Sequence, residues 1–234
     1  TASGSRRLRP VWITAFVLLA LVTTALVTWR LVGTSEPSSE SLHVSVLLPS
    51  ALDLDAADSG LLAVSPDGRQ GMIDHAEQFA EAGIPFIFDP GQGMPMFDGD
   101  DLNRFVAQAS YLAFNDYEAK LMEERTGKGP EQLAREVEAV VVTRGGEGST
   151  IFTRNNSYEI PSAPANRLVD PTGCGDAYRG GLLHGLQQGL DWDITGRIAS
   201  LLGAIKIEHA GTQNHAVSRS DFDARFKETF GFEL

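Results

Sequence analysis

The sequence predicts an α/β fold in which a mainly parallel sheet has helices on both faces. From residue 60 onwards, short apolar runs alternate with segments of helical periodicity, as in successive strand–helix units. The run at 139–143 holds three consecutive valines and is apolar on both faces, which is typical of a central parallel strand. Two later runs flank Asn155 and Asn156, and this pattern predicts a hairpin added after the parallel strands.

Individual elements follow from the same two periodicities. Short apolar runs bounded by turn residues predict strands at 61–64, 84–88, 111–114, 139–143, 149–153 and 157–160. Helical spacing predicts helices at 72–80, 102–109, 116–125, 130–137, 176–190 and 193–209, and a last helix that starts at Ser220 or Asp221. We expect Gly83 and Gly127 to end the first and third helices, because glycine readily adopts the left-handed conformation of a helix end.

Composition and charge exclude several classes of protein. The 234 residues include 31 acidic and 19 basic side chains, a formal net charge of −12, whereas a general nucleic-acid binder needs a basic surface. Hydrophobic residues make up 42% of the chain, which is enough for a sizeable core. The single cysteine, Cys174, excludes an intrachain disulfide and a cysteine-based zinc site.

Residues 1–42 differ in character from the rest of the chain. Three arginines precede a charge-free apolar stretch, and a linker rich in Ser, Glu and Pro follows it. We interpret 1–42 as a hydrophobic and basic segment with a linker, and 43–234 as the main domain. Three interpretations of residues 11–32 stay open: a membrane helix, a cleavable signal peptide, or foreign or misread sequence.

The segment 170–176 carries the clearest chemical pattern. Gly173 and Gly175 flank one small residue at a helix start, so the backbone N–H groups can point to one place. Such a nest suits phosphoryl oxygens, and the helix dipole favours a bound anion. Asp176 follows on the first helical turn. It either only stabilises the helix start or, beside a phosphate, accepts the proton of an attacking hydroxyl.

This pattern resembles a known family. Residues 170–183 resemble the C-terminal signature of the PfkB (ribokinase-like) sugar and nucleoside kinases, Asp-Thr-x-Gly-Ala-Gly-Asp before a helix of small residues. Pro171 and Cys174 depart from that signature. Residues 115–118 resemble the family's Asn-x-x-Glu, and residues 143–148 resemble its Thr-x-Gly-x-x-Gly. The resemblance covers about residues 60–234, and adenosine-kinase-type members are most similar.

The resemblance implies a role for each matching residue. The general base would be Asp176, assisted by the amides of Gly173, Cys174 and Gly175. Residues lining the nucleotide site would be Thr143, Gly145, Gly148, Ser200 and Asn214. Magnesium would be held by Asn115 and Glu118, and a monovalent cation such as K⁺ by Asp170, Thr172 and Gly211. From the residues alone, Asn115 also fits a simple helix cap, and 143–148 an ordinary turn.

The implied fold is a ribokinase-like sheet that lacks the N-terminal strands and lid and follows a hydrophobic helix. The implied activity is ATP- and Mg²⁺-dependent transfer of the γ-phosphoryl to a primary hydroxyl of adenosine or a related sugar, in the cytoplasm, or at a membrane if residues 11–32 span one. Nothing in residues 1–59 resembles the family's acceptor segment. The alternative is therefore a catalytically incompetent remnant that binds nucleotide or a partner. A sheet without its early strands would expose an edge, so either the chain is a truncated or fused product or a partner chain, as in a homodimer, covers that edge.

Overall fold

The computed structural model describes residues 60–234. The predicted apolar helix at 11–32 and the predicted domain boundary near residue 43 lie outside the described residues. Among residues 60–234, none of the helices has both the length and the apolar character that a bilayer crossing requires.

One six-stranded sheet organises the described residues, with its strands in chain order. The strands are β1 (Leu62–Val64), β2 (Phe86–Phe88), β3 (Tyr111–Asn115), β4 (Ala139–Thr143), β5 (Ser149–Thr153) and β6 (Ser157–Ile160). β1 to β4 pair in parallel, whereas β5 and β6 continue the sheet as an antiparallel hairpin. The predicted mainly parallel sheet and the late hairpin are therefore confirmed.

Seven α-helices follow or connect these strands in the described part of the chain. They are α1 (Arg69–Ala82), α2 (Gly99–Gln108), α3 (Asp116–Thr126), α4 (Pro130–Leu133), α5 (Cys174–Gln187), α6 (Trp192–Ile207) and α7 (Arg219–Phe230). Gly83 and Gly127 end α1 and α3 in the left-handed conformation, as predicted.

The largest differences from the predicted elements are one helix that is shorter than predicted and one short helix that was not predicted. The helix predicted for 130–137 ends at Leu133, because the amides of Arg135 and Glu136 bond to carbonyls three residues back and tighten the chain into a turn. A 3₁₀ helix at Gly91–Met96 was not predicted. It follows an Asp-Pro-Gly sequence and contains Pro95, a composition that indicates a turn.

Alternate strand residues serve two cores on opposite faces of the sheet. In β4, Val140 and Val142 pack with the apolar side chains of α1, α2 and α3, whereas Ala139 and Val141 pack with those of α5 and α6. A triple-valine strand is apolar on both faces because both faces are covered. The predicted placement of helices on both faces is confirmed.

Glycines let α5 and α6 approach each other closely. A Cβ atom at Gly181 would lie 2.4 Å from the Cα of Ala199, and one at Gly185 would lie 2.4 Å from the Oγ1 of Thr195. The hydroxyl of Tyr178 on α5 also meets the Oγ of Ser149 on β5 at 2.6 Å. These contacts fix α5 against the sheet and so fix where its N-terminus lies.

Candidate active site

The carboxyl ends of β3 and β4 bring two predicted residues together. Asn115 ends β3, Thr143 ends β4, and the two are register partners in the parallel ladder. Carboxyl ends of parallel strands are the usual place for a ligand in an open α/β sheet. The sequence predictions for Asn115 and Thr143 therefore fall on one edge of the sheet.

Asn115 and Glu118 form a capping box at the start of α3. The Asn115 Oδ1 accepts from the Glu118 amide at 2.8 Å, and the Glu118 Oε2 accepts from the Asn115 amide at 2.9 Å. The helix-cap interpretation of Asn115 is thus borne out in geometry. Burial raises the pKa of Glu118, although its hydrogen bond from Asn115 opposes that rise. The capping box uses one carboxylate oxygen of Glu118 and leaves Oε1 for another partner.

Residues 170–176, which we call the glycine-bracketed bend, lead into the N-terminus of α5. Gly173 is the N-cap, with a φ of 85°, and the cap has no side-chain hydrogen bond. The Cys174 amide donates to the Pro171 carbonyl at 3.1 Å, so it already has an acceptor within the bend. The amides of the next residues, Gly175 and Asp176, have no acceptor within the helix because they belong to its first turn. Burial raises the pKa of the Cys174 thiol.

A buried ion pair lies beside this helix start, and sequence reasoning missed it. Asp89 directly follows β2, and its carboxylate contacts Arg179 of α5, with Oδ2 2.6 Å from Nε and Oδ1 2.9 Å from Nη2. The two side chains are only 7% and 10% exposed. The available signals were the position of Asp89 after a buried strand and the three-residue spacing from Asp176 to Arg179, which places both on one helix face.

Arg179 connects the predicted residues electrostatically. Burial opposes its charged form, but the carboxylates of Asp89, Glu118 and Asp176 together raise its pKa. Asp176 also acts on Asp89 and raises its pKa, although burial is the main cause of that rise. Since these interactions depend on proximity, the start of α5 faces the ends of β2 and β3. Asp176 itself is exposed there.

The oxygen donors at this edge fit Mg²⁺. Glu118 offers the carboxylate oxygen that the capping box leaves free, and hard divalent cations prefer oxygen ligands. No group of three or more His, Cys, Asp or Glu in residues 60–234 is arranged to hold a metal ion. An Mg²⁺ ion at this edge would therefore depend on phosphate oxygens and water for most of its ligands, as it commonly does.

Asp170, Thr172 and Gly211 are brought together, but in a way that does not fit a resident monovalent cation. Both Asp170 carboxylate oxygens accept backbone N–H groups, from Thr172 at 2.9 Å and from Gly211 at 2.8 Å. These hydrogen bonds lower the pKa of Asp170 to about 2. The Asp170 carbonyl accepts from the ammonium of Lys206 at 2.9 Å, so a protein cation already contacts it.

The other residues predicted to line the nucleotide site, Ser200, Gly148 and Gly145, shape the backbone of nearby loops in the structure. The Ser200 hydroxyl accepts from the Ala163 amide at 2.8 Å and donates to the Pro161 carbonyl at 2.9 Å. These bonds hold the loop that follows β6 against α6. A Cβ at Gly148 would lie 2.2 Å from the Ile160 carbonyl oxygen, so glycine is needed where the chain enters β5 beside the end of β6. Gly145 has a φ of 54° and open space around it.

Asn214 lies on an exposed loop that follows Gly211. Its Nδ2 donates to the Ala210 carbonyl at 3.0 Å. This bond closes a tight turn over Gly211. The turn requires glycine there, because the φ of Gly211 is 80° and a Cβ would lie 2.5 Å from that Nδ2. The turn is thus organised by Asn214.

The sequence matches a known protein family. The family model described as pfkB family carbohydrate kinase matches residues 50–219. The chain belongs to the PfkB family. The nucleoside kinase of Methanocaldococcus jannaschii is 31% identical over 128 residues, which are 55% of this chain and 42% of that protein. The chain spans 42–47% of the length of the first curated relatives it matches, all named nucleoside kinases.

Solved structures show the same PfkB fold. Burkholderia thailandensis nucleoside kinase in complex with inosine is 50% identical with a TM-score of 0.74, over 79% of this chain and 60% of that one. Its complex with ADP-inosine is 51% identical with a TM-score of 0.73, over 78% of this chain and 57% of that one. The predicted ribokinase-like fold and the predicted family are confirmed.

Proposed function

We propose that the protein is an ATP-dependent kinase that phosphorylates a hydroxyl of a nucleoside. The observation that carries this proposal is the charge cluster at one edge of the sheet. An exposed acid, Asp176, lies at an uncapped glycine-rich helix start, and Arg179 couples it to Asp89 and Glu118. A phosphate-binding helix start with an acid beside it is the arrangement that phosphoryl transfer to a hydroxyl requires.

In the proposed reaction, Asp176 accepts the proton of the attacking hydroxyl. The hydroxyl oxygen forms a bond to the γ-phosphorus, the bond from that phosphorus to the β-bridging oxygen breaks, and ADP leaves with the electron pair. The amides of Gly173 and Gly175 and the helix dipole stabilise charge that develops on the transferred group. When bound, Mg²⁺ neutralises phosphate charge, and Glu118 with Asn115 would orient it through water.

As the phosphoryl acceptor, we propose a nucleoside in preference to a free sugar. The first curated relatives are named nucleoside kinases, and the solved relative is described in complex with inosine. A Saccharomyces cerevisiae relative named adenosine kinase is 25% identical over 165 residues. We therefore rank adenosine and inosine together as acceptors, and ribose after them. Thr143, Gly145 and Asn214 are proposed to border the nucleotide.

The test is turnover of the full chain with ATP and Mg²⁺ and with adenosine, inosine or ribose as acceptor. We expect phosphorylated nucleoside and ADP in equal amounts. Asp176→Asn keeps the shape of the side chain but removes the base, so turnover should fall by about 10²–10⁴-fold, the usual effect of losing a general base. Calorimetry should find ADP affinity nearly unchanged.

Asp193→Asn is the matched control for this experiment. Asp193 also lies in the first turn of a helix, α6, so the substitution likewise removes a first-turn carboxylate, here one that pairs with Arg197 and not with the charges of the proposed site. Its turnover should equal that of the original chain. Normal turnover in Asp176→Asn would remove Asp176 from the mechanism. ADP binding by the original chain without any phosphorylation would favour the alternative, a nucleotide-binding protein without kinase activity.

A further inference from the structure

A fully buried lysine, Lys206, lies between the loop that holds Asp170 and the loop that follows α6. Lys206 is in the last turn of α6 and has no exposed surface. Its Nζ donates to the carbonyl oxygens of Asp170 at 2.9 Å and His209 at 3.2 Å. Burying an ammonium group carries a large desolvation cost, so hydrogen bonds must compensate for the water it loses. Here two backbone carbonyls supply them.

These contacts are similar in kind to those of a bound monovalent cation. A potassium ion in a protein is held by carbonyl and carboxylate oxygens of neighbouring loops, and an ammonium group carries the same charge. Lys206 joins the loop of Asp170 to the loop of His209, and the Asp170 carboxylate strengthens this junction by accepting the Gly211 amide at 2.8 Å. The ammonium also lowers the pKa of Asp170, so it acts there as a local positive charge.

The position of Lys206 also connects this junction to the glycine-bracketed bend at the start of α5. A Cβ atom at Gly173 would lie 3.4 Å from the Lys206 Cε and 3.1 Å from the Thr212 carbonyl oxygen, so the lysine stem packs beneath the N-cap of α5. Thr212 belongs to the turn that Asn214 closes. One cation therefore supports both the bend and the turn.

We propose that Lys206 is a built-in replacement for a monovalent cation, so that this chain does not need K⁺ to order its nucleotide site. The proposal disagrees with the K⁺ expectation at Asp170, Thr172 and Gly211, because Lys206 already occupies the position from which a cation would contact the Asp170 carbonyl. The effect of Lys206 on nucleotide affinity rests on the proposed function, whereas its effect on the order of the loops rests on its contacts alone.

The first test uses the original full chain. Its thermal unfolding temperature and its affinity for ADP with Mg²⁺ are measured in tetramethylammonium chloride, NaCl and KCl at equal ionic strength. Both quantities should be the same in the three salts. A rise in either one that is specific to K⁺ would overturn the proposal, since it would reveal a cation requirement that Lys206 does not meet. No variant is needed for this comparison.

The second test removes the ammonium and leaves room for an ion. Lys206→Ala should unfold about 10 °C lower in tetramethylammonium chloride, because it leaves buried carbonyls without a partner. K⁺ or NH₄⁺ should restore part of that loss and part of the ADP affinity. Lys206→Met fills the space with an apolar side chain and should not respond to either ion.

Lys227→Ala is the surface control, because Lys227 is exposed and, among residues 60–234, its ammonium pairs only with Glu233. It should match the original chain in every salt. A Lys206→Ala protein that folds but ignores K⁺ and NH₄⁺ would show that Lys206 is only a packing residue and would overturn the proposal. Absence of ADP binding in the original chain would contradict the proposed function instead, while the salt dependence of unfolding would still test Lys206.

Discussion

Arg179 is the residue on which the charges of the candidate site converge. It contacts the buried carboxylate of Asp89 and interacts with Glu118 and Asp176, so one cation faces three acids. A buried pair of this kind contributes little to stability as a whole, but removing one partner leaves an uncompensated charge. The pair therefore holds the start of α5 against the end of β2, and its integrity determines where Asp176 lies.

Asp89→Asn should lower the free energy of unfolding by about 3–5 kcal/mol, because it leaves Arg179 buried without its main counter-charge. Chemical denaturation measures this change. The combined Asp89→Asn and Arg179→Met variant should lose less stability than the single variant, since it buries no unpaired charge. Asp193→Asn breaks the more exposed pair with Arg197 and should cost at most about 1 kcal/mol. An equal loss in the two single variants would contradict the assigned role of the buried pair.

At the scale of elements, most strands and helix ends were predictable, because they depend on local sequence. The bounds of β4, β5 and β6 match their predictions residue by residue, since periodicity and turn residues both define them. The glycine ends of α1 and α3 were equally clear. The 3₁₀ helix at Gly91–Met96 was not, because short apolar segments rich in Gly and Pro carry no helical period.

The contact of α5 with α6 could not be predicted in this way, because it depends on which side chains are absent. Small residues on both helices indicate that the helices pack closely, but the contact of Gly181 with the backbone of Ala199 depends on the tertiary fold. Local sequence also failed to predict part of the candidate site. Asp176 and Asn115 are residues that the motifs specify. Arg179 and Lys206 match no specified motif position, although Arg179 lies within 170–183, and they matter because of contacts with residues distant in the sequence.

Gly181→Ala should destabilise the protein by about 1–3 kcal/mol, because the added Cβ meets backbone atoms that cannot easily move. Gly203→Ala on α6 is the matched control, since its Cβ would lie 3.6 Å from the nearest atom, the Cys174 carbonyl oxygen. That variant should be neutral or up to about 1 kcal/mol more stable, the usual gain from Gly to Ala in a helix. Denaturant titration of both variants gives the comparison. Equal behaviour would mean that the close crossing does not constrain α5.

At the scale of the whole molecule, the sheet separates structural support from chemistry. One face packs α1, α2 and α3 and carries most of the aromatic core, while the other packs α5 and α6, whose ends bear Asp176 and Lys206. The carboxyl edge of the sheet joins the two sides at Asp89 and Asn115. A ligand at this edge would contact elements from both faces, so binding should stabilise the fold as one unit.

This linkage gives a prediction for the full chain that does not require catalysis. ADP with Mg²⁺ at 100 times its dissociation constant should raise the free energy of unfolding by about 2.7 kcal/mol, because it binds only the folded state. For a protein of this size, that is a rise of roughly 5–10 °C in the unfolding temperature. Asp176→Asn should show the same rise, since its amide and the helix dipole remain. NaCl of equal ionic strength is the control, because salt alone screens the net charge of −12. An unfolding temperature that ADP leaves unchanged would contradict a nucleotide site at this edge of the sheet.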